Sequence, residues 1–321
     1  MHAHTWTKTY HFFPEAFIRK TGNVTVEKKG AQPFNQLLVS WTADLPAKGY
    51  LRFSLEVFDE KLHKWSTYKM YEWGKGINHS FLEKDPSSSA RYVHVRFEGA
   101  HGRKYHQFRI NVQGYKGADT QVLRSISVCA SDLALFKPEP IDDYPKNVKP
   151  LYIQGVPILS QHSADYTEST GWCSPASIAQ VIGFYTNKSY DVATLAQEVF
   201  DSKLSIYGSW PFNTALAGVY LPGYLCYVAR LNSLKDIIRL LKRGCPVILS
   251  ICSSELLPGA LKPYDKGHLI TVVGIDLNKR EIICHDTAEK NVQKAVRYPL
   301  KPFVQAWENR YRLAYVIVPY F

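Results

Sequence analysis

No stretch of this 321-residue sequence approaches the roughly 18 apolar residues that a membrane-crossing helix needs. The longest apolar runs, Pro246 to Cys252 and Leu313 to Pro319, have the length of a strand. The first residues, MHAHTWTKTYHFFPEAFIRK, lack the basic start and apolar block of a secretory signal. A cytoplasmic chain, or a mature chain whose signal has been removed, is therefore expected. Cysteine is sparse. The six, at 129, 173, 226, 245, 252 and 284, contain no CxxC pair, which argues against a zinc knuckle and against a disulfide framework. Buried free thiols in a reducing compartment are the expectation, with Cys173 set apart below. Acidic residues are outnumbered 28 to 39 by Lys and Arg, for a formal net charge of +11. The excess is spread out and is densest between Arg96 and Arg109, with Arg103 and Lys104. A solvated basic surface is expected rather than a nucleic-acid site, with attraction to an anionic polymer or glycan left open.

Hydrophobic residues make up 45% of the chain and aromatics 13%, enough for two cores. Residues 1–140 read as strands: Gln36–Trp41, Tyr50–Phe58, Tyr92–Phe97 and Gln107–Val112. Several alternate apolar with polar residues, as half-buried antiparallel strands do, and turn signals separate them. An all-β sandwich, jelly-roll-like, is the expected architecture and a candidate binding domain. Residues 141–150 close a stretch, KPEPIDDYPKNVKP, that holds four prolines and reads as a linker or strap. From 151 to 321 the pattern changes. Ser174–Tyr185 has a helical period, with Pro175 in its first turn. Asp191 caps a second helix, Asn232 or Ser233 a third, and Gly244 ends it. The strands Pro246–Cys252, Leu269–Ile275, Glu281–His285 and Leu313–Val318 follow, with a short helix, Pro302–Asn309, before the last. Helices first and an antiparallel sheet after make this half α+β.

Cys173 stands immediately before the helix that Ser174 and Pro175 begin. A free thiol titrates near 8.5, and helix-terminal N–H groups and the helix dipole favour its anion. This is where a nucleophilic cysteine is best activated. Flanking Gly171 lets a substrate backbone approach, and Trp172 is placed to wall a cleft. His268 follows Gly267 and opens the apolar strand HLITVVGI, where a ring can be held rigidly yet reach a cleft. Leu269–Ile275, a turn and Glu281–His285 form a hairpin whose outer ends are His268 and Asp286. Asp286 can then accept the Nδ1 proton of His268, fixing its tautomer. Alternation turns His285 to the other face. Gln161, twelve residues before Cys173, supplies a side-chain amide for an oxyanion hole together with the Cys173 N–H.

The set VPILSQ, GWCSPASIAQVIGFY, GHLITVVGID and a downstream Asp resembles the C39-like family, papain-like cysteine peptidases related to bacteriocin double-glycine leader peptidases. It is most similar to a stand-alone bacterial branch whose peptidase-like domain follows a β-sandwich. YGSWPFN, GCPVILSI and the helix holding Trp307 extend the resemblance over roughly 150–321. It implies a papain-like fold, a Cys173–His268–Asp286 triad, Gln161 as oxyanion donor, and Trp210 and Asn213 as substrate contacts beside Trp172. It implies a peptide or protein substrate and no metal or organic cofactor. One departure stands out: the branch surrounds its Asp with Asn-Asp-Pro-Ala, whereas this chain has His285-Asp286-Thr287-Ala288.

Two other readings stay open at this stage. In one, the sandwich binds a carbohydrate or cell-surface polymer through Trp65, Tyr68, Tyr71 and Trp73, and the hydrolase domain is secondary or silent. In the other, the same triad transfers an acyl group instead of hydrolysing a bond.

Overall fold

The computed structural model describes residues 5–145, 148–162, 169, 171–253, 255, 257–260, 263–288 and 294–320. Among these the chain is a sheet-rich mixture of α and β, with five α-helices. It divides into two compact units, residues 1–136 with 200–229, and 137–199 with 230–321. Residues 146 and 147 of the expected linker lie outside the described ones.

The first unit holds two six-stranded sheets. One runs Thr7–Phe12, Leu123–Ser131, Gln36–Ala43, Arg96–Glu98, Arg91–Val93, Glu83–Lys84; the other runs Ile18–Lys20, Asn23–Lys28, Phe108–Tyr115, Tyr50–Asp59, Lys64–Gly74, Ile77–Ser80. Every neighbouring pair is antiparallel. Tyr50–Asp59 shows the period of two that a half-buried strand requires, with Leu51, Phe53, Leu55 and Val57 inside. Those residues share one apolar cluster with Val39, Trp41, Phe97 and Val128 of the other sheet. Gln36–Ala43 is buried along its whole length because its second face is also covered. There Thr42 exchanges hydrogen bonds with the backbone of Cys226, and Ser40 accepts from the Val228 N–H. Gly218, in the helix Trp210–Tyr220, comes so near that a Cβ would lie 2.8 Å from a Thr42 methyl.

One expectation is corrected here. Tyr92–Phe97 is two short strands, Arg91–Val93 and Arg96–Glu98, reversed through His94 and Val95 at φ 47° and 60°. Tyr92 and Phe97 pair directly across the turn, so both face inward although they stand an odd five residues apart; the two-residue turn breaks the alternation that one continuous strand would keep. The aromatics considered for sugar stacking are core: Tyr68, Tyr71 and Trp73 are buried. Trp65 lies under the Arg109 guanidinium, 4.0 Å from its ring centre.

In the second unit the strands lie in the order Leu313–Pro319, Val247–Ile251, His268–Asp276, Glu281–His285, Val296–Pro299. Leu151–Tyr152 pairs with Gly274 and Ile275 beyond the end of the Val247 strand. The helix Cys173–Thr186 packs on the His268 strand, and the Ser177 hydroxyl donates to the Leu269 carbonyl at 3.3 Å. Its first three turns are almost wholly buried. Asp191 caps the helix Val192–Val199 through the N–H groups of Ala193 and Thr194, and Ser233 and Asp236 form a capping box on Leu234–Lys242. Residues 137–145 are strapped onto this unit. Arg280 donates to the carbonyls of Ile141, Asp142 and Tyr144, Arg312 to that of Lys137, and Glu139 accepts from the Leu234 N–H.

A β-bulge decides which side chains meet. The His268 and Glu281 strands pair Asp276 with Glu281 and Gly274 with Ile283, but Val272 with Cys284 and Thr271 with His285. Val273 is the extra residue. Without it, Asp286 would stand opposite Thr271 and point away from His268. With it, Asp286 falls opposite Ile270, on the face that His268 shares by the period of two.

Candidate active site

Cys173 is the first residue of a 14-residue helix, and its side chain is only partly buried. Burial alone would push its thiol up. A hydrogen bond and charge from His268, with backbone N–H groups of Leu269 and Ser174 directed at the sulfur, outweigh that and bring it below the ordinary thiol value. His268 supplies most of this, and the N–H groups of the strand and of the helix start add to it.

His268 is buried, and its Nε2 lies 2.8 Å from Oδ1 of Asp286. This corrects the expectation that Nδ1 faces the carboxylate. With Nε2 taken by the carboxylate, Nδ1 is the ring nitrogen left for the bond to the Cys173 thiol. Burial would lower the imidazole, but the charge and hydrogen bond of Asp286, together with Cys173, raise it above its ordinary value. Asp286 is fully buried. Burial would raise its carboxyl, yet the His268 charge and hydrogen bonds from His268, Tyr264 and Tyr298 hold it well below the usual carboxylate range. The geometry favours a thiolate–imidazolium pair backed by a buried carboxylate.

Gln161 is brought to the same strand end. Its N–H donates to the Thr287 carbonyl at 2.8 Å, and its side-chain oxygen accepts from the Thr287 hydroxyl at 3.1 Å. The amide oxygen is thereby committed, and the NH2 end is turned away from Thr287. His285 points to the opposite face, where its Nδ1 donates to the Pro157 carbonyl at 3.1 Å.

Trp172 precedes the helix but has no exposed surface, so it serves as core rather than as a cleft wall. Trp210 and Asn213 belong to the first unit. There Trp210 packs against the apolar cluster, and the Asn213 amide donates to the carbonyls of Tyr207 and Ser209 at 2.9 Å each.

Two tyrosines that carry no mark in the sequence pattern complete the site. The Tyr264 hydroxyl donates to Oδ2 of Asp286 at 2.5 Å, and its ring stacks on His268 with centroids 4.3 Å apart and planes 10° from parallel. The Tyr298 hydroxyl donates to the same oxygen at 2.6 Å. Tyr298 sits on a short edge strand whose residues read as ordinary core, and Tyr264 lies in a loop without periodicity.

A thiol at a helix start, an imidazole and a carboxylate on adjacent strands are the elements of cysteine-dependent hydrolysis. The chain belongs to the Peptidase_C39 like family, whose sequence pattern matches residues 153–315, half of its length, and this places it among cysteine peptidase-like hydrolases. Among solved structures, a Bacillus anthracis protein provisionally assigned as a C39-like peptidase aligns over 54% of this chain and all of its own, at 17% identity and a TM-score of 0.41. No curated protein matches significantly. Among the described residues no helix is long and apolar enough to cross a membrane.

Proposed function

We propose that residues 151–321 form a papain-like cysteine peptidase domain that cleaves a peptide or amide bond through an acyl-enzyme. The observation that carries this reading is the buried 2.8 Å contact between His268 Nε2 and Asp286 Oδ1, with His268 also bonded to Cys173. In the proposed reaction the Cys173 thiolate adds to the substrate carbonyl. The oxyanion is held by the Gln161 NH2 and the Cys173 N–H, a group that a helix's first residue has free of intrahelical partners. The imidazolium of His268 gives its Nδ1 proton to the leaving amine as the C–N bond breaks. Water then attacks the thioester, His268 takes its proton, and the thiolate leaves with the acid product. Asp286 stays ionised throughout and supports the imidazolium. Residues 1–140 are read as a β-sandwich that precedes this domain in the chain.

The test is site-resolved alkylation. Iodoacetamide is expected to modify Cys173 faster than the other five cysteines at pH 6, and His268→Ala is expected to abolish that advantage. Slow labelling of Cys173, unchanged by His268→Ala, would refute the reading. Product analysis of a peptide library with and without added amines separates hydrolysis from acyl transfer.

A further inference from the structure

We infer that Tyr264 and Tyr298 are positioning residues that hold Asp286 as an anion aimed at His268. This deepens the proposed reading of the site and rests on it.

A carboxylate has about four lone-pair positions. On Asp286 all four are filled. Oδ1 accepts from His268 Nε2 at 2.8 Å and from the Ala288 N–H at 2.9 Å. Oδ2 accepts from the hydroxyls of Tyr264 at 2.5 Å and Tyr298 at 2.6 Å. A buried carboxylate with no counter-donors takes up a proton instead of staying charged. Asp286 is fully buried, and the two phenols replace the water it has lost. They also fix its rotation. With Oδ2 held from two sides, Oδ1 can present only one lone pair to His268 in line with the ring. The donors come from separate places: Tyr264 from the loop before the His268 strand, Tyr298 from the edge strand Val296–Pro299. Tyr264 adds a second constraint. Its ring lies flat on the imidazole, and a π face favours the cationic form of that ring.

Other ionisable groups around the pair are accounted for. Cys173 faces His268 from the helix, and Cys284 lies on the strand beneath Asp286. Tyr315 is bonded to Ser174 at 2.9 Å. Arg310 lies against Gly267, its Nε 3.4 Å from the Ser250 hydroxyl, and His285 is turned to Pro157. Asp265 and Lys266 are on the exposed loop that leads to His268. Among these, the two phenols alone donate to Asp286.

Removing a hydroxyl raises the pH at which Asp286 protonates and weakens support for the imidazolium. The rate of Cys173 alkylation against pH is bell-shaped, rising as the thiolate–imidazolium pair forms and falling as the imidazolium loses its proton. For Tyr298→Phe and Tyr264→Phe the bell is expected to narrow, its acid limb moving up by about one pH unit in each variant and further in the double variant. Tyr264→Leu removes the stack as well and should pull the alkaline limb further down than Tyr264→Phe. Titration of the His268 ring by NMR in the same proteins reads the imidazolium directly, whether or not the thiol reacts. Narrowed profiles and an earlier loss of the His268 proton, in variants with unchanged circular dichroism, support the assignment. Bells that superimpose on the parent's, or a uniform drop in rate with no shift, overturn it and leave the triad reading intact. A parent protein with no fast-reacting Cys173 overturns both.

Discussion

Thr287 ties down Gln161 from two directions: its carbonyl receives the Gln161 N–H at 2.8 Å, and its hydroxyl donates to the Gln161 side-chain oxygen at 3.1 Å. Thr287 is one of two positions, with His285, where the chain departs from the Asn-Asp-Pro-Ala pattern of the branch it resembles. The departure therefore has a structural use. It holds the amide oxygen, and the proposed oxyanion role falls to the NH2 end. Replacing Gln161 with Ala is expected to slow acylation by an activated ester by about 10²–10³-fold, the usual loss for one oxyanion donor. Thr287→Val keeps the backbone contact and should cost about tenfold. Burst kinetics of p-nitrophenol release measure both, while iodoacetamide, which forms no oxyanion, should still label Cys173 at the parent rate.

Asp286→Asn puts an amide where four donors converge. It retains one acceptor oxygen and brings two N–H groups against the tyrosine hydroxyls or the imidazole. The imidazolium loses its counter-charge, so labelling of Cys173 at pH 6 should fall to the rate of the other cysteines. Breaking one partner of a buried ion pair also lowers stability by about 3 kcal/mol. Urea unfolding followed by fluorescence would measure it, and a loss under about 1 kcal/mol would show that the pair is not held as described.

His285 provides a pH test separate from catalysis. Burial lowers its imidazole below the ordinary value, so the unfolded chain binds the proton more readily than the folded one. The stability that the neutral ring contributes is complete above the unfolded value of about 6.5 and is lost as pH falls below it. His268 acts in the opposite sense, because its raised value makes its contribution full at low pH and lost as pH rises through the folded value. A comparison of the parent with His285→Gln, which share His268, isolates the first effect. The stability difference between them should shrink from pH 7 to pH 5, as read from urea midpoints. A difference that is constant across that range would contradict the buried neutral assignment.

Asp201 is a hub of the first unit. It is fully buried and accepts from the Ser80 N–H and hydroxyl, the Ser209 hydroxyl, and the N–H groups of Lys203 and Leu204. Asp201→Ala strands several buried donors at once and is expected to destabilise this unit by about 3 kcal/mol. Differential scanning calorimetry should show a lowered transition without a change in Cys173 labelling. A loss confined to labelling would be the contrary result.

Much of this was readable from residue order. Helix caps at Asp191 and Ser233 follow from local hydrogen-bonding chemistry, and the strand expected at Tyr50–Phe58 from a period of two. Cys173 was legible because helix starts activate thiols, and His268 because it borders a buried strand. What periodicity could not give were pairings between distant segments. The Arg91–Glu98 hairpin is a shorter-range case: it turns Tyr92 and Phe97 to the same face, which a continuous strand would not do. The assignment of 200–229 to the first unit depends on Thr42 and Ser40 meeting a strand some 185 residues away.

The sequence by itself determined the chemical inventory of this protein: a thiol at a helix start, an imidazole, a carboxylate and an amide on segments that a hairpin can gather. Only the tertiary structure decided how they meet. One extra residue, Val273, shifts the strand register so that Asp286 and His268 share a face, and a one-residue slip is invisible to a pattern that repeats every two. It also turned Nε2 rather than Nδ1 toward the carboxylate and closed Asp286 with Tyr264 and Tyr298. A buried charge needs donors from whichever segments fold around it, and the chain order carries no local mark of which those will be.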